Sequence, residues 1–146
     1  MSVVFGIDPG QSGAISAIWL SDGVPANTIH KLTETETDAR EFLEGFDLEG
    51  SFAVIERVHS MPKQGVSSSF KFGQSYGFLR GLLIGLKIPF REVNPQQWQR
   101  AMSCLSKGKK NVTKARAQQL WPNIKFTHAT ADSMLIAEYG RLNIAK

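Results

Sequence analysis

Residues 3–13 read VVFGIDPGQSG, an apolar run that ends at Asp8 and is followed at once by a glycine-rich turn. The run predicts a buried β-strand, and the proline and glycines after it predict a sharp change in chain direction. A carboxylate at a strand end points into the crevice at the sheet's edge, where α/β proteins bind ligands. Asp8 is therefore the first candidate functional residue.

Two further acidic residues stand in similar contexts. Glu56 ends the apolar run of residues 52–55, and Asp132 precedes the apolar segment of residues 133–137. Each of them alone is equally well explained as a turn former or a helix cap. Together the three predict a metal site, because repulsion among neighbouring carboxylates is tolerated only when protons or hard cations neutralise it. An oxygen-only site favours Mg²⁺ or Mn²⁺ over zinc.

The composition limits the classes of protein that fit. The 146 residues, 42% of them hydrophobic, suffice for one domain, residues 1–146, with a substantial core. The formal charge of +4 suits a polyanionic partner without requiring one. The single Cys104 excludes an internal disulfide and indicates a reducing, cytoplasmic compartment. We find neither an export leader nor an apolar run of about 18 residues, so no membrane association is expected.

The remaining pattern predicts an α/β fold. Five strands are expected, the first three forming an antiparallel meander, at residues 2–7, 13–20, 26–32, 52–56 and 88–93. The fourth strand is short and continuously apolar, as expected for a strand covered on both faces. Five helices are expected, the first ended by Gly45 and the others at residues 68–86, 96–105, 113–120 and 131–142. Residues 57–69 are expected to form an irregular, partly basic loop.

The helix predicted at residues 68–86 carries glycines four residues apart, at Gly73, Gly77, Gly81 and Gly85. Each glycine costs about 1 kcal/mol relative to alanine in a helix interior, so packing must compensate. Four-residue spacing puts them in one row, where another backbone can approach closely. We favour docking of this row on the chain's own sheet, with a contact between subunits as the alternative.

Four segments, in this order, resemble the RuvC-type Holliday-junction resolvases of the ribonuclease-H-like superfamily: residues 6–10 (GIDPG), 55–58 (IERV), 72–77 (FGQSYG) and 131–137 (ADSMLIA). Residues 61–77 and the small size look most similar to bacteriophage versions. The resemblance implies a ribonuclease-H-like fold, with a mixed five-stranded sheet flanked by helices. It also implies a homodimer that nicks two opposed strands of a four-way DNA junction in DNA recombination, in the cytoplasm of a host bacterium if the protein is phage-encoded.

The resemblance also implies the chemistry. Two Mg²⁺ ions about 4 Å apart, with Mn²⁺ as a substitute, would activate a water and stabilise the leaving oxyanion. Asp8 would bridge the ions, Glu56 would hold one, and Asp132 would complete the other side. Bacterial relatives carry a fourth ligand three residues before the last aspartate, where this chain has Ala129. His128 is a candidate replacement ligand or proton shuttle, and a surface histidine without a role is the alternative.

The predicted DNA contacts are basic and polar. Lys110 and Lys114 are candidates for steadying the charge of the scissile phosphate. His59 stands where bacterial relatives carry an aromatic residue that stacks near the junction centre. The DNA-binding candidates, most of them suited to phosphates, are Arg57, His59, Lys63, Gln64, Ser67, Ser68, Ser69, Lys71, Lys107 and Lys109. Arg57 is equally able to pair internally with Glu56.

Three functions are compatible with the sequence. The leading hypothesis is a Mg²⁺-dependent, structure-selective endodeoxyribonuclease that binds branched DNA as a homodimer, uses no nucleotide cofactor and cuts symmetrically. The second is a junction-binding protein of the same fold that is catalytically weakened at Ala129, which a cleavage assay would distinguish. The third is an actin-like phosphotransferase that uses residues 8–13 as a phosphate turn. That fold needs two related lobes, for which this chain is too short.

Overall fold

The computed structural model describes residues 2–57 and 65–144. Within these ranges five strands form one sheet in the order β3-β2-β1-β4-β5. Their bounds are β1 Val3–Asp8, β2 Ala14–Ser21, β3 Val24–Lys31, β4 Phe52–Glu56 and β5 Phe90–Val93. The first three strands pair antiparallel, whereas β4 runs parallel to β1 and to β5. The predicted mixed five-stranded sheet is confirmed.

Five helices accompany the sheet in the described ranges, with bounds α1 Glu36–Glu44, α2 Val66–Gly85, α3 Pro95–Ala101, α4 Lys110–Leu120 and α5 His128–Asn143. Helix α1 starts with a capping box between Thr35 and Asp38. Gly45 follows its last residue, and this end was predicted. Helix α3 ends earlier than predicted, so Cys104 is buried beyond the helix and not inside it. Helices α4 and α5 each begin three residues earlier than predicted.

Apolar side chains on the two faces of the sheet form two cores. On one face, Phe5, Ile7 and Ile55 of the central strands pack with Leu79 and Leu83 of α2. The opposite core is built mainly around α5, in which nine of the eleven residues from Thr130 to Gly140 are buried. The central strands are thus covered on both faces, which explains the uninterrupted apolar runs in their sequence.

Helix α2 presents its row of glycines outward, contrary to the prediction that this row docks on the chain's own sheet. A Cβ added at any of the four positions would meet no atom within 4 Å in the described structure, at Gly73, Gly77, Gly81 and Gly85. The helix instead packs through the opposite face, where Leu79 and Leu83 are buried. The prediction was wrong because four-residue spacing defines a face of a helix but not what covers that face.

The start of α2 also differs from the predicted loop. Ser67, Ser68 and Ser69 lie in the first turn of the helix, which begins at Val66 after Gly65. The helix therefore starts two residues before the predicted position 68, and of the three serines only Ser67 was expected outside it. Across the residues described, none of the helices combines the length and the apolar character that crossing a bilayer requires.

Candidate active site

Asp8 and Glu56 are brought together by the pairing of two parallel strands. The register matches Ile7 of β1 with Ile55 of β4, and each strand then ends at its acidic residue. Neighbouring strands lie about 4.8 Å apart, and side chains alternate between faces along each strand. Since Ile7 and Ile55 belong to the α2-side core, Asp8 and Glu56 are directed to the other face. That face is the one covered by α5.

Asp132 reaches this position because α5 lies very close to β1. Gly6, two residues before Asp8, has no side chain, and a Cβ there would collide with the backbone of Ser133 and Ala137. A buried hydrogen bond of 2.6 Å between the hydroxyls of Ser16 and Ser133 fixes α5 to β2 at the same level. Because Gly6 leaves room for the backbone of α5 beside β1, Asp132 of α5 can lie near Asp8.

The turn after Asp8 is tightly closed. The amide of Gly13 donates to the carbonyl of Gly10 at 3.1 Å, and Gly10 has a φ of 115°, a region that favours glycine. A Cβ on Gly13 would overlap the carbonyl of Asp8 itself. The glycines of this motif thus fix the backbone that carries the catalytic candidate.

The electrostatics identify the three carboxylates as neighbours. Burial raises the pKa of Asp8 well above its usual value, and the charges of Glu56 and then Asp132 raise it further, while Lys110 opposes this. Burial also raises the pKa of Glu56 to about 7, although a hydrogen bond from Trp98 lowers it, and Asp132 adds to the rise. A group of acids with raised pKa values in a crevice is a candidate functional site.

Asp132 lies among both basic and polar partners. Burial raises its pKa, while the hydroxyl of Thr113 and the charges of His128 and Lys110 lower it. Its Oδ1 atom is buried and accepts no hydrogen bond in the described part of the chain. A buried carboxylate oxygen without a partner is costly, so this atom is suited to a cation or a bound water.

A cavity of about 630 Å³ opens onto the site. Asp8, Asp132, His128, Ala129 and Lys110 all contribute to its wall. Glu56 does not, and its Oε2 instead accepts a hydrogen bond of 2.7 Å from the indole of Trp98 in α3. The cavity therefore gives access to the carboxylate cluster from the side of Asp8 and Asp132.

His128 is placed by the start of α5. Thr127 caps the helix in a capping box with Thr130, so His128 is its first residue. His128 and Asp132 are then four residues apart within one helix and share a face. The helix thus includes His128, which the predicted start at residue 131 had left outside it. Ala129, where bacterial relatives were expected to carry a fourth ligand, also lines the cavity and supplies no donor atom.

The donor set suits a hard divalent cation in its chemistry. The three carboxylates fit Mg²⁺ or Mn²⁺, and the unpartnered Oδ1 of Asp132 offers a free acceptor. Across residues 2–57 and 65–144, however, no three His, Cys, Asp or Glu side chains form a ready-made coordinating cluster. The carboxylates are electrostatic neighbours that a cation would have to draw together.

The other predicted site residues are distributed unevenly. Lys110, the first residue of α4, lies at the cavity, whereas Lys114 is not among the residues of its wall. Lys71 lines a separate cavity of about 300 Å³ beside α1. Exposed positions are occupied by Arg57, Ser67, Ser68, Lys107 and Lys109, and a partly buried one by Ser69. His59, Lys63 and Gln64 lie outside the described residues.

The internal ion pair considered between Arg57 and Glu56 is not formed, since the ion pairs within the described ranges join Arg40 to Glu44, Arg80 to Glu92 and Arg141 to Glu138. Arg57 remains accessible to a ligand.

Sequence reasoning missed three residues near the site. Lys31 and Thr33, at the end of β3 and just beyond it, line the main cavity. They gave no signal because exposed polar residues after a strand are commonplace. Trp98 lies in the helix predicted at residues 96–105, and its bond to Glu56 was not predicted. A buried indole N–H requires a hydrogen-bond acceptor, so a tryptophan predicted in the core is a sequence signal for a polar partner nearby.

Comparisons with known proteins agree with this architecture. RuvC from Thermus thermophilus in complex with a Holliday junction substrate superposes with a TM-score of 0.67 at 15% identity, covering 97% of this chain and 96% of that one. Another Thermus thermophilus RuvC structure gives 0.61 at 16% identity, covering 95% and 93%. The yeast mitochondrial Holliday junction resolvase gives 0.51 at 19% identity, covering 93% and 77%.

No protein-family model and no curated protein sequence matches the chain. The likeness is thus one of structure, extends over nearly the whole chain and concerns the fold. The chain has the RuvC-type resolvase fold, as predicted from the four sequence segments.

Proposed function

We propose that this chain, having the fold of the RuvC-type resolvases, is a divalent-metal-dependent endonuclease that cuts four-way and related branched DNA. The observation that carries the proposal is the gathering of Asp8, Glu56 and Asp132 at one edge of the sheet, where burial raises the pKa of all three and neighbouring carboxylates add to the rise for Asp8 and Glu56. The solved structures of similar fold include a RuvC bound to a Holliday junction substrate, which supports branched DNA as the ligand.

Asp8, Glu56 and Asp132 would hold the cations, and His128 is placed to assist from the same helix face as Asp132. We expect two Mg²⁺ ions, with Mn²⁺ as a substitute, by the chemistry of an all-oxygen donor set. The ions would supply an activated water and stabilisation of the leaving oxyanion. No nucleotide cofactor is required for this hydrolysis.

Two side chains, those of Lys110 and His128, complete the proposed site. The charge of Lys110 lowers the pKa values of both Asp8 and Asp132, so its ammonium group lies near both carboxylates. We propose that it stabilises the negative charge that develops on the scissile phosphate. We propose that His128, which lines the cavity wall, carries a proton to or from the leaving oxygen.

DNA binding is supported by basic residues near the cavity. Lys31 and Lys110 line it, while Lys107 and Lys109 are exposed just before α4. Compact ammonium groups suit backbone phosphates, which fix position without reading sequence. We therefore propose that Lys31 joins the predicted phosphate contacts and that recognition depends on junction shape.

We propose that the protein is a homodimer through the glycine face of α2. This face comprises the outward glycine row and the apolar residues at the same helical angles, of which Val66 is 89%, Phe70 72% and Ile84 62% exposed. Large exposed apolar residues in a cluster mark an interaction surface, and the glycines let a second backbone approach. A dimer would present two sites for symmetric nicking.

A junction-binding protein with little cleavage is the second candidate. It is favoured by Ala129, which lies on the cavity wall at the predicted fourth-ligand position and offers no oxygen or nitrogen donor. The two candidates bind the same DNA and differ only in turnover.

The test is incubation with synthetic four-way, three-way and linear DNAs in Mg²⁺, Mn²⁺ or chelator, with product positions read on each strand. The endonuclease predicts paired nicks in four-way DNA that disappear with chelator. Tight binding of junctions without any product in either metal favours the second candidate. Equal binding to linear DNA contradicts both.

A further inference from the structure

Glu56 is held by a side chain outside the carboxylate cluster. The indole N–H of Trp98 donates to Oε2 of Glu56 at 2.7 Å, a short bond of the charge-assisted kind. Of the three carboxylates, Glu56 alone is absent from the cavity wall. A donor at this point fixes one of its two oxygens.

Trp98 is itself unable to follow a moving carboxylate. It is fully buried on α3, among Val93, Met102 and Met134 of the core against α5. Its indole has only two side-chain torsions and is enclosed on all sides, so the N–H direction is set by packing.

Helix α3 is also tied to the helix that carries Asp132. The side-chain Nε2 of Gln97, next to Trp98, donates to the hydroxyl of Tyr139 in α5 at 3.0 Å. The donor that holds Glu56 and the helix that carries Asp132 are therefore parts of one packed unit. A shift of α3 would change the relative positions of both carboxylates.

We propose that Trp98 is a positioning residue for divalent-cation binding: its indole occupies Oε2 of Glu56, fixes the carboxylate's orientation and leaves Oε1 for the cation. This inference rests on the proposed function, since it assigns Trp98 a role toward the ions that Glu56 would hold. Partners that orient metal ligands typically change metal affinity or activity 10- to 100-fold when removed, by the general behaviour of such sites.

The alternative is that the bond only satisfies a buried indole. A purely structural bond predicts that Trp98→Phe lowers thermal stability and leaves the Mg²⁺ dependence of cleavage unchanged. A positioning bond predicts a specific defect in cation use. Trp19 provides a matched control, because it pairs with Val3 at the opposite end of β1 from Asp8.

The first measurement is the Mg²⁺ concentration that gives half-maximal cleavage of a four-way junction. We expect Trp98→Phe to raise it about 10-fold or more, and Trp19→Phe to leave it unchanged. An unchanged value for folded Trp98→Phe, in a protein that cleaves, overturns the positioning role and leaves the proposed function intact.

The second measurement needs neither a variant nor cleavage. The three tryptophans, Trp19, Trp98 and Trp121, give three indole N–H signals in a ¹H–¹⁵N spectrum. Mg²⁺ added to the native protein should shift the Trp98 signal and leave the Trp19 signal in place. Mg²⁺-dependent cleavage with a stationary Trp98 signal overturns the inference alone. A protein with neither cleavage nor any Mg²⁺-induced shift contradicts the proposed function and the inference with it.

Discussion

Gly6 of β1 lies directly against the backbone of Ala137 in α5, with no space for a side chain between them. This contact sets the distance between the strand that ends at Asp8 and the helix that carries Asp132. Two residues of spacing on the strand put Gly6 and Asp8 on the same face, so a single missing side chain governs how closely two of the carboxylates approach.

Replacing Gly6 with alanine should therefore damage both stability and the site. The added Cβ would overlap backbone atoms that cannot move independently, and we expect a loss of about 3 kcal/mol in the free energy of unfolding. Urea denaturation measures it. Gly45→Ala is the control, because Gly45 has an ordinary helical φ of −69° and should change the stability by less than about 1 kcal/mol. Similar, small effects of the two substitutions would contradict the packing described.

The crowded carboxylates predict a pH dependence of stability in chelator. The pKa of Glu56 rises from 4.5 to about 7 on folding, so the folded state binds more protons between these values. Stability should therefore fall as pH rises through this window, by up to about 3 kcal/mol for Glu56. Asp8 and Asp132 act in the same direction.

Unfolding in urea at pH 5 and pH 8 measures this effect. Glu56→Gln should remove part of the difference between the two pH values, because a glutamine cannot titrate. An identical pH dependence in the native protein and in this variant would show that folding does not raise the pKa of Glu56.

The two lysines of α4 should differ in importance. Lys110 lies on the cavity wall and acts on Asp8 and Asp132, whereas Lys114, one turn later, does not line the cavity. We expect Lys110→Met to reduce the cleavage rate at saturating DNA by about 100-fold, as for loss of a contact that stabilises the transition state. Lys114→Met should reduce it by less than about 5-fold. Single-turnover cleavage measures both. Equal losses would argue for a general charge effect.

The glycine face of α2 should control self-association. Gly77→Leu places a bulky side chain in the middle of this face and should shift the protein toward monomer, as measured by sedimentation velocity. Within a monomer, the same position is open, so Gly77→Ala should stabilise the helix by about 1 kcal/mol. A protein whose association is unaffected by Gly77→Leu would place the dimer contact elsewhere.

Much of this architecture could be predicted because the central strands have uninterrupted apolar sequences. Parallel strands covered on both faces leave clear apolar runs, and their last residues, Asp8 and Glu56, then fall at one edge of the sheet. The glycine row of α2 was assigned to the wrong surroundings, since spacing within a helix carries no information about the neighbouring element. The bond from Trp98 to Glu56 was missed because it joins residues 42 positions apart in the chain.

Several sequence predictions stay predictions. Among them are the single-domain organisation over residues 1–146, the homodimer, the Mg²⁺ dependence, the symmetric nicking, the cytoplasmic location and the bacteriophage origin. The DNA contacts of His59, Lys63 and Gln64 belong with them, because they lie between Arg57 and Gly65, outside the described ranges.

The central claim is that Asp8, Glu56 and Asp132 act as one cation-binding catalytic centre for junction cleavage. Asp8→Asn tests it most directly, with binding and cutting of the same labelled four-way junction measured side by side in Mg²⁺. We predict that the variant binds the junction within about 3-fold of the native affinity and yields no nicked product, since phosphate contacts dominate affinity while the carboxylate serves the chemistry. Nicking by Asp8→Asn at the native rate would contradict the account.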